Sequence, residues 1–258
     1  MPAGGLLRFE ELTRDAVRDQ ASTALFVWPV GAIEQHGPHL PVGTDTFHAD
    51  RVTGDAASIA SATIPIVLVP TLPFGSSAHH LPFGGTMSIA TETYFRVVLG
   101  LAESLIDGGV RRLFIVNGHG GNHELIQLVA RDLALRHEVH VAAGSWWAMA
   151  WDALVEAGAH EVGRMPGHSG TFETSVVMAM RPELVSAPLP HRDDPGSTDP
   201  RRLGELHRAE HHGFWQSIDG FTDSPDLAKP ERGRRYLEVA ARAVADQLVA
   251  FWRSTDSA

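Results

Sequence analysis

Cysteine is absent from all 258 residues. That excludes disulfides and zinc–thiolate sites, so any metal must be held by nitrogen and oxygen. No apolar run reaches membrane-spanning length, and the N-terminus shows no basic, apolar signal segment. Positive charge is scarce: 21 Lys and Arg stand against 31 Asp and Glu, a net charge of -10, which argues against nucleic acid as a partner. There is no internal repeat and no low-complexity stretch. What remains is a chain with 43% hydrophobic residues, long enough for one large core. The expectation is a single domain over 1–258, cytoplasmic, with no membrane partner. Histidine, by contrast, is plentiful at 15.

Short apolar runs at 23–30, 64–69, 113–116 and 139–143 read as buried strands. Helical segments fall between them at 46–60, 91–106 and 124–135. In 91–106, Tyr94, Val97, Val98, Leu101 and Leu105 recur at helical spacing, and Gly108-Gly109 ends the segment. A closing helix is expected over 232–251. The Pro- and Asp-rich stretch 188–200 reads as an exposed loop, and His207, His211 and His212 as part of a charged surface helix. This strand–helix alternation predicts an α/β fold: a mostly parallel central sheet covered by helices on both faces, a three-layer α/β/α sandwich.

The richest segment follows the first strand: Glu34-Gln35-His36-Gly37-Pro38-His39-Leu40-Pro41-Val42-Gly43-Thr44-Asp45. Its glycines and prolines bend the loop, so that carboxylate and imidazole can face one point. A Glu-x-His pair alone is an ordinary solvated feature. Here it has partners. The strand 113–116 runs into Asn117-Gly118-His119-Gly120-Gly121-Asn122, and Gly167-His168-Ser169-Gly170-Thr171-Phe172-Glu173-Thr174-Ser175 leads into an apolar helix. Three segments thus deliver His or carboxylate where strands end or helices begin, which is where α/β sheets bind ligands. Oxygen and imidazole donors without thiolate suit zinc, manganese or iron alike. The candidate ligands are Glu34, His36, Asp45 and His119. Asp45 is the candidate bridge, because its two oxygens can serve two cations.

These motifs, with Gly31-Ala32-Ile33 before the first and Gly75-Ser76-Ser77-Ala78-His79-His80-Leu81-Pro82-Phe83-Gly84-Gly85-Thr86 as a fourth block, resemble the creatininase (creatinine amidohydrolase) family over about residues 8–253. In the fourth block Ser77, His80 and Thr86 hold the recurring positions. The resemblance implies a metal-dependent hydrolase of non-peptide or modified amide C–N bonds, with one or two divalent metals per chain, usually a hexamer. It also divides the ligands, with Glu34, His119 and Asp45 on one metal and His36 with Asp45 on the other.

Two departures from the creatinine-hydrolysing members stand out. They carry Glu where this chain has Gly121, which leaves the second metal short of a carboxylate; Glu173 is the expected replacement, its alternative role being a helix N-terminal carboxylate. They also carry Trp-Asp where this chain has Arg164-Met165, which argues against creatinine itself. His168 is the candidate acid/base, since imidazole titrates near neutrality. Glu34 is placed with it as a catalytic carboxylate, and His39 and His48 are expected to support the ligands. Ser77, His80, Trp147 and Arg164 are the expected substrate contacts, with Arg164 pairing a carboxylate or phosphate. The alternatives are a formamide deformylase or a precursor-peptide peptidase of the same family, a cyclic ester or phosphoester hydrolase using the same metals, and a non-catalytic metal-binding subunit.

Overall fold

The computed structural model describes residues 5–193 and 210–255. His207 and the 194–200 part of the expected loop lie outside them. In chain order the elements are β1 (Leu6–Arg8), α1 (Arg14–Ala21), β2 (Leu25–Val30), α2 (Thr44–Ala60), β3 (Ile66–Leu68), α3 (Thr91–Asp107), β4 (Arg112–Asn117), α4 (His123–Arg136), β5 (His140–Ser145), α5 (Trp146–Met149), α6 (Trp151–Glu156), α7 (Thr171–Met180), α8 (Phe214–Ser217) and α9 (Pro230–Ser254). The five strands form one sheet in the order β1-β3-β2-β4-β5, parallel throughout.

The alternation of side chains along each strand makes the three layers. From β2, Leu25 and Val27 point to one face with Ile66, Leu68, Phe114 and Val116, where α2, α7 and α9 cover them. Phe26, Trp28 and Val30 point to the other with Val67, Leu113 and Ile115, under α3 and α4. All six residues of β2 are buried, as a central parallel strand requires. α9 begins with Pro230 in its first turn, where a missing N–H costs nothing. It approaches α7 so closely that a Cβ on Gly233 would overlap the carbonyl of Ser175.

Several expected boundaries shift. α2 starts at Thr44, so Asp45 lies inside its first turn. β3 keeps only three residues, and β5 runs on to Ser145. The edge strand β1 was not foreseen; three residues are too few for a period to show. His211 and His212 lie in an irregular stretch and a turn, not a helix, with Gly213 at φ +76° just before α8. Among the described residues no helix is long and apolar enough to cross a membrane.

Candidate metal centre

From β2 the chain passes to β3 on one side, and β4 then enters on the other. The carboxyl ends of β2 and β4 therefore flank a switch in winding direction, where an open α/β sheet has its crevice. The loop after β2 carries Glu34 and His36, α2 supplies Asp45, the turn after β4 supplies His119, and α7 supplies Glu173. All five are buried.

Asp45 stands between the two imidazoles. Its Oδ1 is 3.3 Å from Nε2 of His36, and its Oδ2 is 2.9 Å from Nδ1 of His119. Glu34 Oε1 lies 3.3 Å from the same His119 nitrogen, and Glu173 Oε2 lies 3.6 Å from the same His36 nitrogen. The far nitrogens fix which ring atoms face the carboxylates. His36 Nδ1 is 3.1 Å from the Glu34 carbonyl and His119 Nε2 is 3.0 Å from the Ser76 carbonyl. A carbonyl only accepts, so each of those nitrogens is the donor, and in the neutral ring the opposite nitrogen turns a lone pair toward the carboxylates. Lone pairs facing carboxylate oxygens need a cation or protons between them. His36 Nε2, Asp45 Oδ2 and Glu34 Oε2 are buried and make no hydrogen bond.

The electrostatics repeat the point. Burial alone would lower the pKa of His36, but Asp45 and Glu173 raise it to about 10. Burial likewise opposes, and the charge of Glu34 outweighs it, to hold His119 well above its usual range. Burial drives Glu173 up to about 8 and raises Glu34 as well. Asp45, despite its burial, is held well below the carboxylate range by His36 and His119. Left to protons, this cluster must share them among five buried groups. Divalent cations satisfy the same atoms directly, and the donor set suits them. Two groups, Glu34–His36–His168 and His36–Asp45–Glu173, have ligand atoms within 4.8 Å of one another, and Glu34–His79–His119 makes a third.

The remaining expected residues divide. His80, Trp147 and His168 line a cavity of about 590 Å³ together with Glu34, Asp45, His119 and Glu173. Ser77 is fully buried and off the cavity wall, its hydroxyl 3.1 Å from His119 Nε2. Arg164 is also off that wall and only 3% exposed. Its N–H donates to Asp223, which also accepts from Thr171, and this pins the 164–171 segment inward. The expected substrate contact by Arg164 therefore has no support from its position. His39 Nε2 meets the Thr174 hydroxyl of α7 at 2.8 Å, and His48 lies edge-on to Trp146 at 6.0 Å.

The creatininase family model, described as creatinine amidohydrolase, matches residues 10–248. The chain belongs to the creatininase family. This hydrolase is 33% identical over 214 residues to the mycofactocin precursor peptide peptidase of Mycobacterium ulcerans (strain Agy99), covering 80% of this chain and 77% of that one. It is 28% identical over 248 residues to the creatinine amidohydrolase of Pseudomonas putida, covering 90% and 91%. A zinc–zinc form of a creatininase variant superposes with a TM-score of 0.71 at 27% identity, over 94% of this chain and 97% of that one.

Against the creatininase pattern, Gly121 is explained by its surroundings. A Cβ there would overlap the Ser76 carbonyl and come 2.5 Å from His119 Nε2. Three contributors escaped the sequence reading. Trp215 of α8 sits over the histidines, its ring 4.6 Å from His80 and 5.2 Å from His168. Ser169 donates through its hydroxyl to the His36 carbonyl and through its N–H to Glu173 at 2.5 Å, from a left-handed φ of +52° that costs ~1–3 kcal/mol. Gln35, quoted in the motif without a role, reaches both His80 and His168. Nothing local in the sequence marks Trp215; Gly170 directly after Ser169 was the one available signal.

Proposed function

We propose that this chain is a metal-dependent amidohydrolase that uses water to cleave a modified or non-peptide amide C–N bond. The observation that carries the reading is the division of Asp45, with Oδ1 on the His36 side and Oδ2 on the His119 side. On this reading Glu34, His119 and Asp45 hold one divalent cation, and His36, Asp45 and Glu173 a second. Zinc, manganese and iron all suit these donors. Divalent cations held by these residues would supply polarisation of the amide carbonyl and a bound water whose pKa falls towards ~7.

The chain's own residues do the rest. Glu34 and Asp45 fix the donor geometry from buried positions. His168 Nδ1 stands 3.6 Å from Glu34 Oε1 on the cavity wall, close enough for one water beside them to hydrogen-bond to both. There it takes the proton from the attacking water and returns one to the leaving amine, whose departure as an anion would be prohibitive. Trp147 and Trp215 line the cavity and displace solvent from the reacting groups.

The substrate reading follows from size and from the two departures. A cavity of about 590 Å³ exceeds the needs of a single small ring. With Gly121 and Arg164-Met165 in place of the creatinine-type residues, and the precursor peptide peptidase as a relative, an amide within a modified peptide is the favoured substrate. Elemental mass spectrometry of the purified protein beside Glu173→Ala tests the metal reading. About two equivalents falling to one support it; about one equivalent, unchanged by the substitution, would rule out Glu173 as a ligand and leave a mononuclear enzyme.

A further inference from the structure

Gln35 lies between two proposed ligands, Glu34 and His36, and its carboxamide bonds to residues from other segments. Its backbone N–H donates to the Thr86 hydroxyl at 3.0 Å, which anchors it to the fourth motif. Its carboxamide is oriented by two backbone groups of fixed polarity. The Gly37 N–H, which can only donate, is 2.9 Å from Oε1; the Gly220 carbonyl, which can only accept, is 3.0 Å from Nε2. The amide therefore cannot be reversed without breaking both bonds.

One amide proton is then left, and two imidazoles lie within reach of it. His80 Nδ1 is 2.9 Å from Gln35 Nε2, and His168 Nε2 is 3.1 Å away. The Gln35 main chain resolves the choice. Its carbonyl oxygen is 3.0 Å from His168 Nε2, so that nitrogen carries a proton and donates it to the carbonyl. A protonated nitrogen cannot also accept. The remaining amide proton goes to His80 Nδ1, which must be unprotonated, and the His80 proton then sits on Nε2.

Both rings line the cavity, stacked with centroids 4.2 Å apart. They turn opposite atoms toward Glu34. His168 presents Nδ1, a bare lone pair, at 3.6 Å from Oε1; His80 presents Nε2–H at 3.5 Å from the same oxygen.

We propose that Gln35 is a positioning residue: its carbonyl and carboxamide hold both histidines in the Nε2–H form, making His168 the proton acceptor of the site and His80 a proton donor to it. The proposal rests on the amidohydrolase reading and adds the direction of proton traffic. His168 receives the water proton on Nδ1 while its Nε2–H stays bonded to the Gln35 carbonyl, which steadies the resulting imidazolium. His80 never changes protonation; its Nε2–H serves the developing oxyanion or Glu34. The His168 proton is then given from Nδ1 to the leaving nitrogen, so protons balance over the cycle.

The test is a long-range ¹H–¹⁵N NMR spectrum of histidine-labelled, zinc-loaded protein, with the two rings assigned by their loss from H80Q and H168Q. The expected result is a proton on Nε2 and none on Nδ1 of both rings. A proton on Nδ1 of neutral His168 or of His80 overturns the proposal, whatever the metal content and activity, which test the hydrolase reading separately. In Gln35→Glu an acceptor replaces the donor, and the His80 proton should move to Nδ1. With metal content held, kcat should fall about 10–100-fold, as is typical for residues that orient a metal site, and KM should change less than kcat. An unmoved His80 proton in this variant would show that Gln35 does not set the tautomer.

Discussion

Gly121 lies directly against the carbonyl oxygen of Ser76, with no space for a side chain between them. The same carbonyl accepts the Nε2–H of His119. The position where the creatinine-type carboxylate would branch off is thus closed by the bond that orients His119, a proposed metal ligand. Gly121→Glu is expected to add no second-metal carboxylate and to lose stability by ~1–3 kcal/mol from overpacking. Thermal unfolding and metal content of the variant check this; a Gly121→Glu protein as stable as the parent, with more bound metal, would show that the loop can open.

Asp45 and His168 should separate cleanly. Asp45→Ala removes both oxygens that face the imidazoles, so bound metal and activity are expected to vanish together. His168→Ala should keep its metal and lose turnover by about 10²–10⁴-fold, the range of a general acid–base group. Full metal content in the Asp45 variant would remove it as a bridge, and wild-type turnover in the His168 variant would remove it from proton transfer.

The adjacent tryptophans predict opposite phenotypes. Trp146 is 1% exposed and stacks on Phe172 at 5.8 Å, deep in the layer under α2 and α9. Trp146→Ala should cost ~3–5 kcal/mol in urea unfolding. Trp147 lines the cavity, and Trp147→Ala should raise KM with a smaller loss of stability. Equal stability losses with unchanged KM would mean that both are packing residues.

Acid should destabilise the protein in a way that His48 makes measurable. Burial, with a further push from His36, lowers its pKa to about 4, although Asp45 pulls the other way. Unfolded, the ring binds a proton near 6.5. Between these values the unfolded chain binds more protons, so stability falls as pH drops from about 6.5 to about 4, by up to ~3 kcal/mol from this residue. His48→Gln should flatten the stability curve across that window relative to wild type. Parallel curves would show that His48 is not the titrating group.

Much of this was legible in the chain because the signal was local. Strand β2 announces itself as an unbroken apolar run, and the segment from Glu34 to Asp45 packs three of the five proposed ligands into twelve positions. Glu173 is a candidate because Gly121 leaves a carboxylate missing, and the fold brings it to 3.6 Å from His36. The rest was set by tertiary contacts that carry no local mark. Trp215 comes from a four-residue helix far along the sequence and reaches the site only because the chain folds back over His79 and His80. Arg164 reads as an anion contact in the sequence; its backbone N–H is tied to Asp223, nearly sixty residues on, and the residue is buried off the cavity wall. Gln35 showed its polarity only once Gly37 and Gly220 lay on either side of its amide.

The tight seat of Gly233 on Ser175 also makes α7 depend on the last helix of the fold. Glu34, His36, Asp45 and His119 leave the ribosome well before α9 does. α7, which carries Glu173 in its first turn, has its covering layer only when residues 230–254 have been made. With the proposed ligand set, Glu173 gains its packed seat only once α9 is in place, so a chain cut before residue 230 is expected to lose the proposed second cation site before the first.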